Sequence, residues 1–91
     1  MLVNDRIKQL GNSIKDRLEP ELVDYALDYI NHSENILAFE TLCDHIADFD
    51  VKLNDVEYQK VLKIVELLGL DLNNRYLYIK PINQLVYNTK T

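Results

Sequence analysis

The sequence predicts an all-α fold: a small four-helix bundle with a C-terminal tail packed over helix four. Apolar residues recur at helical spacing as far as residue 68, and only two glycines and two prolines interrupt 91 residues. At 47% hydrophobic and 27% charged residues, the composition is that of an ordinary globular chain and argues against disorder. The length suits one core, so residues 1–91 are read as a single helical domain.

Val3, Ile7, Leu10, Ile14 and Leu18 step by four, three, four and four, which predicts helix one over 3–18, with Asn4 or Asp5 near its start and Gly11 weakening its middle. Glu19 stands before Pro20, and the residue before a proline is pushed out of the helical region while proline itself suits the first helical position. Helix two is therefore expected over 20–31. Its apolar arc holds Leu22, Val23, Ala26, Leu27 and Ile30, with Glu21, Asp24, Tyr25 and Asp28 turned outward. Asn31 or Ser33 is expected to cap helix three, over 34–49, with Ile36, Ala38, Phe39, Leu42, Cys43, Ile46, Ala47 and Phe49 inward. Glu40, Asp44 and Asp48 recur every four residues on the opposite side, with Leu37 among them.

Asn54 with Glu57 makes a capping-box pattern ahead of helix four, over 55–68, and Gly69 is placed to end it. Val56 and Leu67 fall off its core arc, as if something covers them. The tail is ambiguous. Tyr76 to Ile79 alternate like a strand, but Pro81 and the lack of any partner strand favour an extended segment or a short helix.

Charge is distributed unevenly. Residues 19–50 carry nine acids and no lysine or arginine, while residues 1–18 hold Arg6, Lys8, Lys15 and Arg17 against only Asp5 and Asp16. Phosphate binding needs clustered cations, so a direct nucleic-acid partner is not expected; a basic protein is. Two readings of the acidic segment stand, a solvated face and a binding face. Tyr25 is likewise read either as part of a recognition surface or as lying against a neighbouring helix.

Two histidines, two serines and one cysteine offer little catalytic material, and Cys43 points inward as a small hydrophobe. No enzyme activity, cofactor or metal is expected. Asp44, His45 and Asp48 lack a second histidine or cysteine at ligand spacing, and Gly11 and Gly69 stand apart, without a phosphate-binding loop. No apolar run is long enough to span a membrane, the first residues lack a signal-peptide core, and one cysteine fits a reducing compartment. The expectation is a cytoplasmic protein with no membrane partner.

The segments LEPELVDYALDYI (Leu18 to Ile30), LAFETLCDHIADFD (Leu37 to Asp50) and LNDVEYQKVLKIVELLGLD (Leu53 to Asp71) resemble the MafI family of bacterial immunity proteins, small all-helical partners of secreted polymorphic toxins. Its most specific piece is LAFETLCD followed by Leu53, Glu57 and Tyr58. Where family members often carry a glycine just before the Leu37 position, this chain has Ile36, and the tail from Leu72 lies outside the resemblance. The resemblance implies neutralisation of a cognate toxin C-terminal domain, often a nuclease such as an EndoU-like ribonuclease, by tight binding in the producing cell. The residues agree in sign, because a cleft built to hold RNA is basic and an inhibitor gains by presenting carboxylates to it. Periodicity, and not the family motif, assigns the contacts: Asp24, Asp28, Glu40, Asp44 and Asp48 as charges, Tyr25 and Leu37 as apolar anchors. The free protein is expected to be a monomer or weak homodimer. The alternative is a non-catalytic adaptor that self-associates through Val56, Leu67 and the segment from Tyr76 to Tyr87.

Overall fold

The computed structural model describes residues 2–81, and every described element is helical. In chain order these are α1 (Val3–Ser13), α2 (Pro20–Asp28) running into a 3-10 turn (Tyr29–His32), α3 (Asn35–Asp48), α4 (Asp55–Leu67) and a single-turn α5 (Asn74–Leu77). Helix α1 packs on α2, α3 and α4, α2 lies against α3, and α5 rests on α3.

Helix α1 ends five residues earlier than its apolar stripe predicts. The Ser13 hydroxyl donates to the Leu10 carbonyl at 2.7 Å, the acceptor that an α-helix reserves for the amide of Ile14, and that amide turns to Gly11 instead. The stripe outlasts the helix, since Ile14 and Leu18 remain buried in the following turns. Gly11 has a packing role beyond its low propensity. A methyl group there would stand 3.1 Å from Val23 and 3.2 Å from Leu27, so the glycine sets how closely α1 approaches α2.

The start of α3 differs from expectation. Neither Asn31 nor Ser33 caps it: Asn31 donates to Asp28, Ser33 takes a left-handed φ of 60°, and Glu34 occupies the cap position without a side-chain bond. Asn4 does not cap α1 either; its carbonyl oxygen accepts from the Asn35 amide at 3.1 Å, joining the starts of α1 and α3. The capping box at α4 is as the sequence reads, with Asn54 accepting from the Glu57 amide and Glu57 accepting from the Asn54 amide. Gly69, at φ 68°, ends α4 with the Leu70 amide bonded to Val65 and its own to Glu66.

Ile7, Leu10, Val23, Phe39, Leu42, Cys43, Ile46, Val61 and Ile64 form the centre of the core. Two residues assigned inward are not there. Ile36, at the edge of its arc in the first turn of α3, is 41% exposed, and Phe49, at the C-cap of α3 with its amide still bonded to His45, is 58% exposed. Val56 and Leu67 are exposed rather than covered. The described part of the tail packs on α3 instead of over α4: Tyr76 is fully buried and stacks on Phe39 with ring centres 5.5 Å apart. A hydrogen bond from the Tyr58 hydroxyl to the Tyr76 carbonyl also ties it to α4. Residues 82–91, part of the segment read as a self-association surface, lie outside the described residues.

Candidate partner-binding face

Because α2 and α3 bury their apolar arcs against the core, their polar arcs are left facing solvent. Asp24, Tyr25 and Asp28 are exposed on α2, and Leu37, Asp44 and Asp48 on α3, with Glu40 half-buried. Tertiary structure then brings cations to these acids that no local reading supplies. Arg75, from α5, donates Nε to Asp44 at 2.9 Å and NH1 to Glu40 at 3.0 Å. The Asp44 carboxylate in turn raises the Arg75 pKa above its ordinary value. Lys15 sits 2.9 Å from Asp24, and Asp28 accepts from Asn31 and lies 3.4 Å from His32. Asp48 has no ion-pair or hydrogen-bond partner among the described residues, so of the five charge positions it is the one that reaches solvent unshared.

The apolar positions separate. Tyr25 is 60% exposed, with its ring edge-on to Tyr29 at 5.8 Å and its hydroxyl 3.3 Å from the Tyr29 hydroxyl. That hydrogen bond to Tyr25 also raises the Tyr29 pKa. Across the helix pair the Tyr25 ring lies 6.3 Å from His45, which lies 6.3 Å from Phe49. A row of four rings thus crosses from α2 to α3. Leu37 is not part of it, since it lies about 12 Å along the α3 axis from His45 at 1.5 Å per residue. Tyr29, His45, Phe49 and Arg75, none of them assigned to a binding surface from the sequence, are joined to these side chains by the fold. Tyr29 follows Tyr25 at the four-residue spacing that aligns side chains, which is a readable signal; nothing in the local sequence points to Arg75.

Elsewhere the chemistry is sparse. The Cys43 thiol is fully buried, and desolvation pushes its pKa up, which disfavours the thiolate. No group of three or more His, Cys, Asp or Glu side chains among the described residues is arranged to hold a metal, and no described helix is long and apolar enough to cross a membrane. A cavity of about 360 Å³ lies between the turn after α3 and α5, with Ile46, Val51, Leu53 and Ile79 among its walls, and the Asp50 and Lys52 side chains that border it are paired with each other. No protein-family model matches the chain, and neither a curated protein nor a solved structure matches it.

Proposed function

We propose that this protein is an immunity protein of the MafI type, which neutralises a basic toxin domain, such as an EndoU-like ribonuclease, by stoichiometric blockade in the cytoplasm. The observation that carries the reading is the stretch of residues 19–50, which contributes no lysine or arginine and leaves Asp24, Tyr25, Asp28, Leu37, Asp44 and Asp48 exposed on α2 and α3. Such a face attracts a cationic cleft at long range and offers apolar contact on arrival. No reaction is required of the inhibitor; occupation of the cleft is enough.

The direct test is co-expression with the toxin encoded by the neighbouring reading frame, scored as survival and as recovery of a one-to-one complex. Asp48→Lys should slow association without disturbing the fold, because Asp48 is exposed and unpaired among the described residues. Lys8→Glu, on the exposed side of α1, is the control. If Lys8→Glu abolishes protection and Asp48→Lys leaves it intact, the acidic face is not the epitope.

A second reading has its own observation: Val56 and Leu67 stand 65% and 46% exposed on α4 and suit a self-associating adaptor. Tyr76, first placed in that surface, is buried and does not belong to it. A salt-resistant homodimer in light scattering, dissociated by Val56→Glu with Leu67→Glu, would favour the adaptor.

A further inference from the structure

Phe49 is a costly residue to leave in water, and its position is fixed. The chain ends α3 in a closed double turn: the Asp50 amide bonds to Ala47 and the Val51 amide to Ile46, with Asp50 in the left-handed region at φ 54°. Val51, buried, anchors that turn in the core while Phe49 projects outward. On α2, Tyr25 and Tyr29 hold one another through an edge-on ring contact and a hydroxyl pair. The His45 ring bridges the two ends. This aromatic row is thus ordered before anything binds, which lowers the entropic cost of using it.

Charge complementarity selects the occupant. Asp48 follows His45 by three residues on α3 and Asp28 follows Tyr25 by three on α2, the spacing that sets helix side chains next to each other, and both carboxylates are exposed. The protein already holds one guanidinium on α3, where Arg75 spans Glu40 and Asp44. An exposed ring beside a carboxylate is the setting in which arginine binds better than lysine, because its flat, weakly hydrated cation stacks on the ring while its N–H groups reach the acid. We infer that the Tyr29–Tyr25–His45–Phe49 row is the anchor of the partner interface and receives an arginine-bearing protein segment, with Phe49 and Tyr25 as stacking surfaces and Asp48 as the charge partner. This rests on the reading of the α2–α3 face as a protein-binding surface and identifies the side chains that recognise the partner.

The test uses two fluorescent peptides of equal charge, nona-arginine and nona-lysine, titrated against the full chain by anisotropy. Wild type should bind nona-arginine several-fold more tightly. Phe49→Ala, and separately Tyr25→Ala, should weaken nona-arginine binding by about tenfold while changing nona-lysine little, the size expected when a stacked cation is lost from a desolvated contact. Both side chains are more than half exposed, so the variants should keep the wild-type circular dichroism spectrum. Equal affinity for the two peptides with no effect of Phe49→Ala overturns the aromatic anchor. If Asp48→Lys then still weakens both peptides, the acidic-face reading survives. Failure of wild type to bind either peptide overturns both.

Discussion

Arg17 and Arg75 each reach between segments distant in sequence to hold carboxylates, but the carboxylates they hold lie at different depths. Arg17 uses all five of its N–H donors: two on the Glu57 carboxylate at 2.8 and 2.6 Å, one on Asp16, and one each on the carbonyls of Lys52 and Ser13. Glu57 is only 6% exposed and also accepts from the Asn54 amide. Arg75 places two donors on Glu40 and Asp44, which stay 30% and 51% exposed. The first arrangement ties the turns after α1 to the start of α4 and holds a buried carboxylate under a partly exposed guanidinium; the second lies over an open surface. An arginine bound to carboxylate is therefore a structural joint in one place and a modulator of surface charge in the other. What separates them is burial, which decides whether losing the cation strands a charge or merely returns it to solvent.

Breaking the buried clamp should have the largest effect. Arg17→Met leaves the mostly buried Glu57 carboxylate without its cation and should cost about 2 kcal/mol of unfolding free energy, read from urea denaturation at neutral pH. Glu57→Gln with Arg17→Met removes both charges and should recover part of that loss. A cost for the single variant no larger than that of an exposed pair would erase the contrast.

Acid should find the same joint next. The Arg17 guanidinium, followed by the Asn54 amide, holds the Glu57 carboxyl below its ordinary 4.5 in the folded protein. The unfolded chain therefore takes up the proton first as pH drops. The stabilisation is complete above about pH 4.5 and is lost as pH falls through the lower folded value. Stability measured from pH 6 to pH 3 should fall more steeply for wild type than for Glu57→Gln, and parallel curves would place the acid sensitivity elsewhere.

Cys43→Ala is smaller again. It removes a buried sulfur atom and no accessible thiolate, so it should cost about 1 kcal/mol and leave partner binding unchanged. Abolished binding by the folded variant would revive a role for the thiol.

The smallest stability change belongs to the exposed clamp. Arg75→Gln should alter unfolding free energy by less than about 1 kcal/mol, since Glu40 and Asp44 simply regain water. It also makes the α2–α3 face more negative, and stopped-flow association with a basic partner at low salt should accelerate, with the gain fading as salt rises. A large loss of stability would mean that α5 depends on this contact more than on the burial of Tyr76.

What the sequence determined was whatever a local rule controls. The break at Pro20, the Asn54–Glu57 capping box, the Gly69 stop, the inward arcs of α2 and α4 and the exposure of Asp24, Tyr25 and Asp28 all follow from backbone propensity and a period of 3.6 residues, so they were legible without a fold. Tertiary structure decided the rest. The apolar stripe reads on through Leu18, but the Ser13 hydroxyl takes the carbonyl that would have extended α1, and the stripe stays buried in turns. Phe49 reads as core but stands at the C-cap of α3, where the chain turns away at left-handed Asp50 and leaves the ring uncovered. The acids of residues 19–50 read as uncompensated, yet folding delivers Lys15 and Arg75 from either side of them. Charge partners and ring neighbours depend on distances between residues far apart in the chain, and a linear pattern does not encode those distances until the core has set which helices touch.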